Sequence, residues 1–308
     1  MTKKKNILLL GGFGFIGSNL IEELIKTDFY NIIVFEFKSI IQQFADYVTV
    51  YQGNFDNREN LEEIFKNHKI DIVVHLISTT IPATSNDEIL YDINSNLIST
   101  LHLLDVMLKY DTKRIVFLSS GGTIYGDNKG QKSLETHPTN PICSYGIIKL
   151  AIENYLLLYN RLQNLEYLIL RISNPYGEFH NSDKQGIINV VIKNILQNKK
   201  IIVWGDGSIV RDYIYVKDLA KIIIRLFEKN IYNQTINIGR GEGYSVNQVL
   251  EYILEIQPNF EIEYKQSRKC DIQKIILNTD KLNSLLTFGF TNLKTGITLT
   301  YQYYKNQL

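Results

Sequence analysis

Asn6-Ile-Leu-Leu-Leu10 runs without a break into Gly11-Gly-Phe-Gly-Phe-Ile-Gly17, and residues 15–27 carry a helical apolar pattern. An uninterrupted apolar run of this length reads as a strand covered on both faces, as in a parallel sheet. Gly11, Gly14 and Gly17 have G-x-x-G-x-x-G spacing. Glycines so placed permit a tight turn, let the backbone approach a pyrophosphate, and bring helix and strand close together. The phosphates then rest on the free N–H groups at the helix N-terminus, where the dipole favours anions. A glycine turn alone also serves purely structural strand-to-helix connections, so the strand before it and the helix after it give the motif its weight.

Outward from that turn, the same alternation continues. Short Ile/Val/Leu-rich runs at 31–37, 47–51, 71–77, 114–119 and 167–172 read as strands, with helical patterns near 57–68, 87–109 and 145–162 between them. Asp56 and Ser144 are placed to N-cap two of these helices. Strict β-α alternation predicts an α/β fold, a Rossmann-type doubly wound parallel sheet. After Arg171 the rhythm loosens: helices near 184–198, 216–229, 245–256 and 296–305 mix with short strands at 201–204, 234–238 and 261–265. The expected division is a dinucleotide-binding domain over 1–172, joined by the 234–238 strand, and a smaller mixed α/β substrate lobe over 173–308.

Composition narrows the class. Among 308 residues, 33 basic and 32 acidic side chains leave a net charge of +1, which gives no electrostatic case for nucleic acid or an anionic membrane. No stretch approaches the length of a membrane-spanning helix, and the basic start Met1-Thr-Lys-Lys-Lys5 leads into the first strand rather than a signal sequence. Two cysteines, Cys143 and Cys270, make no disulfide framework, so a reduced, cytoplasmic setting is expected. The five histidines lack ligand spacing with cysteines or carboxylates, so no metal is expected.

Glu36 ends the second strand, 19 residues after Gly17. There an acidic side chain accepts hydrogen bonds from the adenosine ribose, and its charge disfavours a 2′-phosphate, which points to NAD; nearby Lys38 keeps NADP open. The bland alternative is a solvated strand-end acid. Asp56, in Gly53-Asn-Phe-Asp56, suits an adenine contact or simple helix capping, and the two readings stay level.

Further along, Tyr145-Gly-Ile-Ile-Lys149 puts a phenol and an ammonium on one helix face. A tyrosine, with a pKa of ~10, needs a nearby cation to act as a base at neutral pH, and Lys149 is placed to lower it. In a chain with 20 tyrosines such spacing also arises by chance. Its position argues otherwise: it follows Phe117-Leu-Ser-Ser-Gly-Gly-Thr-Ile-Tyr-Gly126, a strand whose hydroxyl-rich end puts Ser120 and Thr123 at the carboxyl edge of the sheet. A hydroxyl there suits holding a substrate oxygen and relaying its proton.

With these residues quoted, the chain resembles the extended short-chain dehydrogenase/reductase family, the NAD-dependent nucleotide-sugar epimerases and dehydratases. The resemblance spans nearly the whole chain and adds His75-Leu-Ile-Ser78, Leu170-Arg-Ile-Ser-Asn-Pro-Tyr-Gly177 and Trp204-Gly-Asp-Gly-Ser-Ile-Val-Arg-Asp-Tyr-Ile-Tyr-Val-Lys-Asp218. It implies NAD held by Gly11, Gly14, Phe15, Ile16, Gly17, Glu36, Phe55, Asp56 and Leu76, together with Tyr145 and Lys149. It implies a nucleotide-diphosphate sugar held by Asn174, Arg211, Arg268 and Asp271. Guanidinium forks suit diphosphate oxygens, although either arginine would also fit a surface ion pair. Ile275 stands where the 4-epimerases limit room for an N-acetyl group. Two departures matter. The family's catalytic Ser or Thr falls four residues before Tyr125, on Gly121, which leaves Thr123 or Ser120 to supply the hydroxyl. The 4,6-dehydratases carry an Asp-Glu pair where Gly122 and Thr123 stand, so dehydration has no evident acid and base.

Three functions follow as expectations. The first is a UDP-hexose or UDP-N-acetylhexosamine 4-epimerase working through a transient 4-keto sugar. The second is an NAD(P)H-dependent reductase of a nucleotide-linked 4-keto-6-deoxysugar. The third is a silent dinucleotide sensor. Helices 95–109 and 145–162 carry broad apolar faces, which either pack on the sheet or, as the resemblance implies, pair two copies into a homodimer.

Overall fold

The computed structural model describes residues 4–37, 41–183, 185–267 and 272–308. In chain order the first half contains β1 (Lys5–Leu10), α1 (Phe15–Thr27), β2 (Tyr30–Glu36), β3 (Val48–Gln52), α2 (Arg58–Asn67), β4 (Ile72–His75), α3 (Ile89–Asp92), α4 (Ser99–Lys109), β5 (Arg114–Ser120), the short β6 (Lys132–Ser133) and α5 (Ser144–Gln163). The second half contains β7 (Glu166–Ile172), β8 (Asn174–Tyr176), α6 (Ile187–Leu196), β9 (Ile201–Trp204), β10 (Val210–Tyr215), α7 (Val216–Glu228), β11 (Gln234–Ile238), β12 (Gly243–Ser245), α8 (Val246–Ile256), β13 (Ile262–Lys265), β14 (Lys274–Leu277), α9 (Asp280–Leu285) and α10 (Leu293–Lys305).

Seven parallel strands in the order β11-β7-β5-β4-β1-β2-β3 form the main sheet. The chain starts at β1, winds outward to β3, returns to β4 and continues to the other edge, the doubly wound pattern. β1 shows why its sequence is apolar without alternation. Ile7 and Leu9 pack with Leu20, Leu24, Leu219 and Ile223 of α1 and α7 on one face, while Leu8 and Leu10 pack with Leu61, Leu104, Ile152 and Leu156 of α2, α4 and α5 on the other. Each such side chain, fully removed from water, contributes about 1.5–3 kcal/mol. A third core of Ile188, Ile192, Tyr213, Leu250 and Ile297 holds the smaller lobe together, around a sheet ordered β12-β10-β14-β6 with β8 beside β10.

The structure departs from the sequence reading in local detail. α2 is capped by Asn57, whose side-chain oxygen accepts from Glu59 N at 2.9 Å and Asn60 N at 3.4 Å; Asp56, one residue earlier, is exposed and does not cap. Ser144 is the first residue of α5 rather than its cap, a place taken by Cys143 without a side-chain bond. Its hydroxyl is committed elsewhere, to Asp92. The helix expected over 87–109 is interrupted by a π-turn over 93–98, a local widening that often marks a functional site.

Candidate active site

The glycine turn sits at the carboxyl end of β1. Gly11 has φ +79°, a conformation that disfavours side chains, and a Cβ at Gly17 would lie 2.4 Å from the Gly12 carbonyl oxygen. α1 begins at Phe15, and Gly14 at its cap position supplies no side-chain bond to the first N–H groups. Glu36 reaches back to this turn, accepting from Phe13 N at 3.2 Å and from Phe37 N at 3.0 Å. Leu76 N donates to Leu10 O at 3.0 Å, and Phe55 packs its ring 5.2 Å from that of His75, so both border the same sheet edge. Phe15 lies edge-on to His180 at 4.7 Å, and Ile16 packs against the core. A close-approach glycine turn, an uncapped helix and a strand-end carboxylate together fit a dinucleotide.

Tyr145 and Lys149 stand one turn apart on α5, beneath the end of β5. The Lys149 ammonium donates to Leu118 O at 2.9 Å and lies 5.6 Å from the Tyr145 ring centre and 4.8 Å from that of Phe117. Burial pulls its pKa down to about 8, against the raising fields of Asp92 and Glu153. The hydroxyl of Ser120, the last residue of β5, lies near the Tyr145 phenol and draws its pKa down, against burial. The expected lowering of the phenol by Lys149 is not met in the chain alone. Burial, then the fields of Cys143 and Asp92, hold Tyr145 above its ordinary range, and the ammonium is spent on a carbonyl rather than on the phenol oxygen. The oxidised ring of a bound NAD would add positive charge that favours the phenolate.

Gly121 resolves part of the question about the hydroxyl. A Cβ there would sit 2.6 and 2.8 Å from the two terminal carbons of Leu277, so β14 fills the space in which a side chain at 121 would stand. Ser120 is the hydroxyl near Tyr145, while the Thr123 hydroxyl is buried without a protein partner. Gly121→Ser is expected to cost ~1–3 kcal/mol by overpacking, read as a lowered denaturation midpoint. Combined with Leu277→Ala, the loss should be smaller than the sum of the two single losses, because one variant makes the room the other needs.

Asn174 and Arg211 line one cavity of about 260 Å³ with Trp204, Tyr176 and Ile188. Arg211 pairs with Ile275 in the β10–β14 register, and Ile275 is buried beside it without lining this cavity. Arg268, Asp271 and Lys38 lie outside the described residues. His75 is a core residue: Thr100 donates to Asn96 O, so His75 Nε2 donates to Thr100 at 2.9 Å, and burial, helped by Lys149, lowers its pKa to about 3. Among the described residues no cluster of His, Cys, Asp or Glu could hold a metal ion, and no helix is long and apolar enough to cross a membrane. Sequence reasoning missed Asp92. The signal was there: Asp92, Ser95, Asn96, Ser99 and Thr100 recur at helical spacing, a polar stripe that turns inward.

A doubly wound sheet with a glycine turn at its first strand and a Tyr–Lys pair at the edge of its fifth defines a dinucleotide-dependent α/β enzyme. The chain belongs to the NAD dependent epimerase/dehydratase family, whose model matches residues 7–239, and its cofactor is NAD. It is 36% identical to a putative UDP-glucose 4-epimerase of Methanocaldococcus jannaschii, over 97% of this chain and 98% of that one. It is 30% identical to a dTDP-4-dehydro-6-deoxyglucose reductase of Escherichia coli, over 88% of this chain and 85% of the relative. Among solved structures it matches UDP-glucose 4-epimerase of Thermotoga maritima, determined with UDP-glucose, at a TM-score of 0.91 and 33% identity, covering 98% and 99% of the two chains.

Proposed function

We propose that this protein is a nucleotide-sugar 4-epimerase, acting on a UDP-hexose or UDP-N-acetylhexosamine through a transient 4-keto sugar. The observation that carries the reading is the Ser120–Tyr145–Lys149 group beside the glycine turn, with Gly122 and Thr123 where dehydration would need an acid and a base. Relatives named as 4-epimerases over nearly the full length support it.

In this reading Gly11, Gly14, Gly17 and the first turn of α1 hold the pyrophosphate, and Glu36 holds the adenosine ribose. NAD held there would supply the acceptor and donor of the carbon 4 hydride, together with the positive charge of its oxidised form. The Tyr145 phenolate accepts the proton of the carbon 4 hydroxyl and gives it back when the ketone is reduced. Ser120 donates to the phenol oxygen and steadies its charged form; Thr123, with its unspent hydroxyl, offers a second contact to the sugar oxygen. Lys149 holds positive charge beneath the phenol ring. Asn174 and Arg211 bind the diphosphate, and Ile275, smaller than a tyrosine, leaves room for an acetamido group. Arg268 and Asp271 remain part of the proposed substrate set. Ile98 on helix 95–109 and Ile147, Leu158 and Leu162 on helix 145–162 are exposed apolar side chains that fit a homodimer built on these two helices, with Leu90 and Tyr91 of α3 exposed just before them.

The E. coli relative favours a second reading, reduction of a nucleotide-linked 4-keto-6-deoxysugar. Incubating the purified protein with UDP-glucose and UDP-N-acetylglucosamine decides between them. Formation of the 4-epimer without net NADH or NADPH consumption is the expected result. Stoichiometric cofactor oxidation with a 4-keto-6-deoxy substrate, and no epimer from either UDP sugar, would overturn it.

A further inference from the structure

The helical segment that begins at Ile89 carries its polar residues inward. Asp92 is 1% exposed, whereas its neighbours Leu90 and Tyr91 are 76% and 52% exposed. Buried polar groups must be partnered, and those of Asp92 are. Its Oδ1 accepts from Thr80 Oγ1 at 2.7 Å and from Asn96 Nδ2 at 2.9 Å, and its Oδ2 accepts from Ser144 Oγ at 2.6 Å. Ser144 N in turn donates to Asn86 Oδ1 at 2.9 Å. The residue next to Tyr145 is thus pinned from two sides.

The Thr80 and Asn96 bonds need no charge: an asparagine would keep them on its one oxygen and donate to a reversed Ser144 hydroxyl. Burying an ionised carboxylate is costly unless a cation answers it. The groups facing Lys149 are the Leu118 carbonyl, the rings of Phe117 and Tyr145, the neutral His75, and the carboxylates of Glu153 and Asp92. Glu153 is already held by Arg171 through both its oxygens. Asp92, whose oxygens meet only neutral donors, is the other carboxylate whose field reaches the ammonium.

We propose that Asp92 is a positioning residue of this site: through Ser144 it fixes the first turn of α5, and with it Tyr145, while its charge keeps the buried Lys149 protonated. The proposal rests on the roles given above to Tyr145 and Lys149. The field of Asp92 is the larger of the two that raise Lys149 against burial, and the same field, after that of Cys143, raises Tyr145. Removing the charge therefore moves both groups to lower pH. An enzyme without it has a more easily ionised phenol but loses the ammonium near neutrality.

The test is a titration of Lys149 that does not depend on turnover: carbon-13 NMR of the lysine ε-carbons in the full-length protein, with Lys149→Met identifying the resonance. The native midpoint is expected near 8. In Asp92→Asn it should fall by about one unit, as for loss of a nearby opposite charge, and the alkaline limb of the epimerase profile should fall with it. Asp92→Glu, which retains the charge, should keep the midpoint near the native one while lowering kcat. Ser144→Ala should lower kcat several-fold with the midpoint unmoved. A Lys149 midpoint unchanged in Asp92→Asn, or native kcat in Ser144→Ala, overturns the proposal. A shifted midpoint in a protein whose native form epimerises neither UDP sugar upholds the role of Asp92 and sinks the functional reading instead.

Discussion

Tyr145→Phe is expected to lower kcat by about 10²–10⁴-fold, the usual contribution of a positioned acid–base group, while KM changes little. The ring keeps its place under the end of β5, with Lys149 still 5.6 Å from its centre in the native geometry. What is lost is the oxygen that exchanges a proton with the sugar. Because the ring stays packed, the variant should fold and retain its cofactor, and thermal denaturation would confirm that the loss is chemical. The native profile adds a check. Burial holds the phenol high, so activity in the oxidative half-reaction should climb with pH until Lys149 loses its proton near pH 8. Tyr145→Phe removes the rising limb and leaves a flat residual rate. Retention of a tenth of native kcat would remove Tyr145 from the chemistry.

The sequence displays the centre of the main sheet well because strands such as β1, β4 and β5 are buried on both faces. Runs such as Ile7–Leu10 and Ile32–Phe35 have no polar alternation to confuse the reading. Helix positions followed from period, but caps did not. Asp56 and Asn57 are equally good caps in composition, and only the turn out of β3 decides that Asn57 meets the free N–H groups. The smaller lobe was harder, since β10, β12 and β14 are short and gain their partners from distant segments, Val210 beside both Ser245 and Lys274. At the site, Tyr145 and Lys149 were visible because one helix fixes their spacing. Asp92 was not, because a polar stripe on an amphipathic helix is ordinarily its solvated side. In the structure Leu90 and Tyr91 face outward and the polar stripe faces the chemistry. Likewise Leu277 gave no sign of its part: it reaches Gly121 across a gap of 156 positions in the chain, a contact that no local pattern encodes.

Glu153→Gln is expected to destabilise the fold by about 3–5 kcal/mol, the cost of leaving a buried cation unanswered. Glu153 lies one turn beyond Lys149 on α5, and its side chain is 3% exposed against 9% for Arg171. Arg171 Nη2 donates to Glu153 Oε2 at 2.7 Å, its Nε bridges both carboxylate oxygens at 3.2 Å, and Ser119 adds a third donor. The other end of the guanidinium continues the network, donating from Nη1 to Tyr125 Oη at 2.9 Å and Glu135 O at 3.1 Å. Tyr125 donates to Asn237 at 2.7 Å, and Asn237 reaches the Ser133 and Asn278 carbonyls. One ion pair thus links α5 and β7 to β11 and to the strands of the smaller lobe. Urea denaturation of Glu153→Gln should show the full loss, whereas Glu153→Met with Arg171→Met should lose less than the single variant, since no charge is then stranded. The same comparison separates packing from charge. If the single variant loses under ~1 kcal/mol, within the range of exposed pairs, the network does not hold the two lobes in register.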